Sequence, residues 1–232
     1  MNDKNTYRIV PLGDNAALLD FGNTIDEELN KKIISLFHFL NRHPIAGMIE
    51  IVPAYSSLAV YYNVSLVKEN NHMEPAFDFV KNKLEEILKQ AMMVDENETR
   101  FIKIPVYYNG ADLEFISKEK NISIDEIIQI HSSATYTVYM LGFLPGFPYM
   151  GKVDERIAIP RREQPRLKVK AGSVGIAGMQ TGIYPLASPG GWQIIGHTPL
   201  RLFDSTKQNP VLLQAGDKVE FYSIGSHEFE NY

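Results

Sequence analysis

The sequence predicts an α+β domain of the ferredoxin-like sandwich type, followed by a mainly β domain that closes toward a barrel. Three observations carry that expectation. The order strand, strand, helix occurs twice between about residues 5 and 95, with glycine and proline sparse. A polar, acid-rich break follows at residues 93–99. Beyond Thr135, short strand-like runs alternate with glycine and proline turns. The break divides the chain into expected domains 1–95 and 96–232.

Residues 6–10 and 16–21 alternate as two strands joined by the turn Pro11-Leu12-Gly13-Asp14-Asn15. A helix is expected from Thr24, which has capping-box spacing to Glu27. Its apolar face is Ile25, Leu29, Ile33, Leu36, Phe37 and Leu40, and it ends before Pro44. Residues 47–52 and 57–62 read as the next strand pair. A second helix follows from about Glu74, burying Phe77, Val80, Leu84, Ile87 and Ala91. The repeat is architectural only, without matching side chains.

After the break, residues 100–107 alternate as a strand, and Ser123 and Glu126 form a second capping box before Ile127, Ile128 and Ile130. Strands are then expected at 137–141, 173–177, 192–195, 200–203 and 218–224. Closing such strands into a barrel removes exposed edges and leaves a mouth where small ligands commonly bind.

Composition narrows the function classes. The 232 residues carry a formal net charge of -5 and no basic stripe, which argues against nucleic acid as a partner. The first residues lack the apolar core of a signal peptide, and no apolar run is long enough to span a bilayer. The chain is therefore expected to be cytoplasmic and away from membranes. Cysteine is absent, which removes thiolate nucleophiles and cysteine metal sites together, and no metal is expected. There is no phosphate loop, G-x-G-x-x-G, H-E-x-x-H or G-x-S-x-G motif.

The stretch Ser188-Pro189-Gly190-Gly191-Trp192-Gln193-Ile194-Ile195-Gly196-His197-Thr198-Pro199 holds the only tryptophan between two rigid turns, so Trp192 is expected to wall a pocket. Phe143, Phe147 and Tyr149, interleaved with Pro145, Gly146 and Pro148, suit either an aromatic lip or corner packing. Arg161, between Pro160 and Pro165, and Arg166, just after Pro165, offer guanidinium forks suited to a small carboxylate, against the plainer reading of a solvated surface. Ser173 lies in a glycine-rich run whose Val174 and Ile176 alternation suits a barrel strand better than an anion cradle, and it is a ligand contact before it is a nucleophile. His197 stands in a turn where its imidazole could face the mouth and titrate near neutral pH. His131 ends a helix, where a structural histidine is commoner than a catalytic one. His131, Ser173 and His197 are the candidates for catalysis, and the base itself stays unassigned.

Several segments together are similar to one family: Gly142-Phe143-Leu144-Pro145-Gly146-Phe147-Pro148-Tyr149, Ile159-Pro160-Arg161, Pro165-Arg166, Ala171-Gly172-Ser173-Val174, Gln180-Thr181-Gly182-Ile183-Tyr184-Pro185 and Ser188-Pro189-Gly190-Gly191-Trp192. They resemble the family of the 5-oxoprolinase B subunit, KipI and allophanate hydrolase subunit 1. So do Pro11-Leu12-Gly13-Asp14 and Pro53-Ala54-Tyr55-Ser56-Ser57-Leu58, and the resemblance spans nearly the whole chain. It departs at Lys170 and His197, where the family usually has proline and arginine.

The resemblance implies a small α/β domain followed by a cyclophilin-like barrel. It implies a subunit, inactive alone, of an ATP-dependent enzyme that opens 5-oxo-L-proline to L-glutamate. Its partners would be the KipA-like C and LamB/YcsF-like A subunits, with ATP used by the assembled enzyme. Alternatives within the family are inhibition of a sporulation-type sensor histidine kinase and a carboxyltransferase portion of urea carboxylase. On the metabolic reading, Arg161 or Arg166 would hold the substrate carboxylate, and Trp192, Phe143 and Phe147 would enclose the ring. Ser173, Gln180 or Thr198 would bond its amide.

Overall fold

The structure, a computed structural model, describes residues 7–23, 26–70, 74–91 and 99–232. The expectations at Thr6, Thr24, Ile25 and most of the break, residues 93–98, lie outside them. The chain falls into two compact units, Met1–Glu98 and Thr99–Tyr232.

In the first unit, β1 (Arg8–Pro11), β2 (Ala16–Asp20), β3 (Met48–Pro53) and β4 (Ser57–Tyr62) form an antiparallel sheet in the order β1-β2-β4-β3. Helices α1 (Glu27–Arg42) and α3 (Ala76–Ala91) pack on it, with the short α2 (Val64–Asn70) between β4 and α3. The core gathers Leu19, Leu58 and Val60 from the sheet, Ile33, Leu36 and Leu40 from α1, and Val80 and Leu84 from α3. This is the apolar stripe that the helical period places on one side.

Two boundaries differ from expectation. Helix α1 starts at Glu27, because Asp26 is its N-cap and accepts from Leu29 N at 2.9 Å. Asp26 supplies the kind of carboxylate cap that favours a helix start. Helix α2 was not expected; Asn63 starts it by accepting from the backbone N–H groups of Ser65 and Leu66.

The second unit holds a mixed seven-stranded sheet in the order β12-β9-β10-β7-β6-β13-β5. Its strands are β5 (Phe101–Val106), β6 (Thr135–Leu141), β7 (Pro148–Gly151), β9 (Ser173–Ala177), β10 (Gln180–Ile183), β12 (Gln193–His197) and β13 (Lys218–Ser223). A ribbon of β8 (Arg166–Val169) and β11 (Ser188–Gly190) stands beside it. Only β13 with β5 is parallel; the other neighbours are antiparallel. The sheet curls until its outer strands meet, for Tyr107, just past β5, pairs with His197 of β12 through two 2.9 Å backbone bonds. Helices α4 (Leu113–Lys120) and α5 (Ile124–Ser133) follow β5, and α6 (Ser226–Glu230) follows β13. The Ser123 cap of α5 is present, accepting from Glu126 N at 3.1 Å.

The expected strand at 200–203 does not form. Pairing there is limited to the Phe203 bridge to Val211 and one backbone bond from Leu212 N to Leu202 O, because an alternating run after Pro199 still needs a neighbouring strand to become one. The strand expected at 192–195 is shifted to Gln193–His197, leaving Trp192 at its entrance. Among the described residues, no helix is long and apolar enough to cross a membrane.

Candidate functional site

Two separate apolar clusters fill the second unit. The larger lies inside the curled sheet, and the smaller is built on Trp192, Phe147, Tyr184, Val169, Ala177 and Ile194. The Phe147 ring meets Trp192 edge-on at 5.3 Å and Tyr184 at 5.2 Å, and Tyr149 lies 5.8 Å from the indole. Such edge-to-face contacts suit the ring quadrupoles. Glycine makes the approach possible: a Cβ at Gly182 would lie 2.9 Å from Trp192 Cζ3 and 3.1 Å from Phe147 Cζ.

Phe147, Tyr184 and Trp192 are buried in this cluster, and Phe143 lies at its solvent side. Phe143 is 61% exposed yet stands edge-on to Phe147 at 5.6 Å. Its backbone is left-handed, with φ of 67°, a conformation that costs a bulky residue about 1–2 kcal/mol and accumulates at functional loops. The Arg161 guanidinium lies over the indole, its Cζ 5.8 Å from the ring centre. Burial raises the Tyr149 and Tyr184 hydroxyls above their ordinary pKa, and the nearby Arg161 charge opposes that rise in both. Among the described residues, no carboxylate comes within ion-pair distance of Arg161.

Arg166 has a different environment. Its Nη2 donates to Asp112 Oδ1 at 2.6 Å, and Arg162 Nη1 donates to the same oxygen at 3.0 Å. The other Asp112 oxygen accepts from Ile194 N at 2.6 Å. Asp112 holds the N-cap position of α4 but makes no capping bond, and its buried carboxylate ties that helix to β8 and β12 instead. Beside Trp192, Gln193 is buried and donates from Nε2 to Pro160 O at 3.2 Å.

The expected site residues fall into separate places. Phe143, Phe147, Trp192 and Arg161 come together, and Gln180, paired with Ala177, opens β10 at the same end of the sheet. Ser173 and Thr198 lie at the opposite end of β9 and β12, since Ser173 pairs with His197 and Thr198 N donates to Gly172 O. Ser173 is buried, and Thr198 faces a cleft of about 540 Å³ lined also by Gly172, Leu200, Arg201, Phe203 and Asp204.

His197 Nδ1 donates to Asn109 Oδ1 at 2.9 Å. Burial, and then the Lys170 charge, holds its pKa below the ordinary histidine value. His131 is fully buried, and burial pushes its pKa down to about 3. Thr181 Oγ1 donates to Gly175 O, so it accepts from His131 Nε2–H at 2.9 Å, which leaves Nδ1 to accept from the Tyr108 hydroxyl at 2.8 Å. A neutral imidazole satisfied on both nitrogens is a core element. Among the described residues, no three acidic or histidine side chains gather as a metal site.

Sequence reasoning missed Asp112, Arg162, Tyr184 and Gln193. Only Gln193 had a signal of its own: a polar side chain in the otherwise apolar run Trp192, Ile194 and Ile195.

Residues 7–213 match the family model described as carboxyltransferase domain, subdomain C and D. The 5-oxoprolinase B subunit of Bacillus subtilis (strain 168) is 42% identical over 231 residues, covering 97% of this chain and 96% of that protein. The 5-oxoprolinase B subunit of Escherichia coli O157:H7 is 40% identical over 213 residues, covering 90% and 93%. The crystal structure of TTHA0988 is similar with a TM-score of 0.78 at 34% identity, over 91% of this chain. This chain spans 40% of the length of that solved relative.

Proposed function

The chain belongs to the carboxyltransferase family of subdomains C and D, among the 5-oxoprolinase B subunits, and from that membership we propose that it is the B subunit of a 5-oxoprolinase. In that role it works inside an ATP-dependent complex that opens 5-oxo-L-proline to L-glutamate, with a KipA-like and a LamB/YcsF-like subunit, in the cytoplasm. Water adds across the ring C–N bond, and ATP hydrolysis by the assembly drives the opening of an otherwise stable amide. The lack of a nucleotide motif in this sequence fits a division of labour among chains. We propose the finer layout as well: a ferredoxin-like sandwich over 1–95 and a cyclophilin-like barrel over 96–232. The antiparallel order β1-β2-β4-β3 and the Tyr107–His197 bridge support it.

The observation that carries the site assignment is the Arg161 guanidinium over the Trp192 ring. Of the two arginines considered for the substrate carboxylate, Arg166 already serves Asp112, whereas Arg161 is exposed over the Trp192 ring with its fork available. Phe143 and Trp192 then border the apolar ring carbons, with Phe147 behind them. The test is reconstitution. This chain alone should not turn over 5-oxo-L-proline, and mixing it with ATP and the purified KipA-like and LamB/YcsF-like partners should release ADP and L-glutamate. A complete mixture without turnover overturns the proposal.

A further inference from the structure

We infer that Gln193 is a positioning residue for Arg161: from the side of β12 opposite Trp192, its amide holds the short segment that sets the Arg161 guanidinium over the indole. The inference deepens the reading of Arg161 as the partner of the substrate carboxylate and rests on it. It starts from a costly feature. Among the described residues, Gln193 Oε1 is buried without a hydrogen-bond partner. Gln193 pairs with Ile176, so its side chain lies toward the larger apolar cluster, which also takes Ile195 of the same strand. An apolar side chain would suit that place better, and a half-satisfied amide there calls for an explanation.

The bond that Gln193 does make supplies one. Pro160, Arg161 and Arg162 run beside Gly191, Trp192 and Gln193 in the antiparallel sense. Arg162 N donates to Gly191 O at 2.7 Å, and Gln193 Nε2 donates to Pro160 O at 3.2 Å. Arg161 and Trp192 are the middle pair between these two bonds, with the guanidinium Cζ 5.8 Å from the ring centre. Pro160 has no N–H, so backbone pairing cannot be reciprocal at its end of the segment, and a side-chain donor meets its carbonyl instead.

The neighbouring residues are anchored separately. Gly178 N donates to Ile159 O at 2.6 Å, and Arg162 Nη1 donates to Asp112 Oδ1 at 3.0 Å. Loss of the Gln193 donor therefore frees the peptide between Pro160 and Arg161 while these anchors remain. A long cation whose backbone is fixed in advance loses less freedom on meeting a carboxylate. Gln193 itself faces away from the indole, so it acts through Arg161.

Trp192 is the only tryptophan, so fluorescence of the full chain reports on this place. Arg161→Met should change the emission, because the cation leaves the ring. In a Gln193→Met background that change should fall to about half or less. Ile195→Ala weakens the same strand without removing a donor to Pro160 O, and it should leave the Arg161→Met change intact. If Gln193→Met does not fold, Gln193→Asn, which withdraws the amide by one carbon, takes its place. In the reconstituted three-subunit enzyme, Gln193→Met should raise KM for 5-oxo-L-proline about threefold with kcat little changed, and add nothing to the KM of Arg161→Met. An emission change on Arg161→Met that is absent, that is the same with and without Gln193, or that is lost equally in Ile195→Ala overturns the inference and spares the proposed function. So does a KM raised by Arg161→Met but not by Gln193→Met. An emission change that depends on Gln193, with KM unmoved by Arg161→Met, supports the positioning role and overturns the carboxylate reading.

Discussion

Protonating His131 opposes folding. Its pKa is about 3 in the folded chain against an ordinary value of 6.5, because burial removes the water that would solvate an imidazolium. Between those pH values the unfolded chain binds a proton that the folded chain does not, so stability falls as pH falls from about 6.5. At full slope this histidine contributes about 1.4 kcal/mol per pH unit. Urea unfolding between pH 7 and 4.5 should show the loss, and His131→Asn should flatten it relative to its own pH 7 value; an unchanged slope contradicts the assignment. At this scale Trp192, Phe143, Phe147 and Arg161 were legible in the sequence, since a lone tryptophan between rigid turns and aromatics among prolines and glycines mark themselves. Asp112 was not, because nothing near residue 112 announces that arginines fifty residues later will meet it.

Asp112 matters chiefly through the elements it joins: the start of α4, the arginine segment entering β8, and β12. Asp112→Asn keeps the volume but leaves two guanidinium groups without their shared charge. It should cost about 3 kcal/mol of unfolding free energy at pH 7 and shift the Trp192 emission, as β8 loosens beside the cluster. A loss below about 1 kcal/mol would show that the triad does not hold these elements together. Legibility among the elements followed locality. Strands β2, β4, β9 and β13 and the Ser123 cap were readable because alternation and capping are written in adjacent residues. Strands β8, β10 and β11 are three or four residues long and carry glycine or proline or border on them, so pairing creates them more than propensity does. The run at 200–203 shows the converse: alternation without a neighbour remains a loop.

For the whole molecule, an α/β part preceding a β-rich part was evident from the change of pattern along the chain. The closing contacts were not. The parallel pairing of β5 with β13 and the bridge from Tyr107 to His197 join residues about ninety or more positions apart, and such registers leave no local trace. These contacts fix β12, which begins next to Trp192, and on the proposed reading they hold the aromatic cluster and Arg161 for a substrate whose chemistry other chains complete. The most direct test of that claim is the KM for 5-oxo-L-proline of the reconstituted three-subunit enzyme carrying Arg161→Met. KM should rise at least about tenfold while kcat stays within a few fold, as removal of a carboxylate contact made equally in ground and transition states requires. An unchanged KM would contradict it, and would move the substrate away from Trp192.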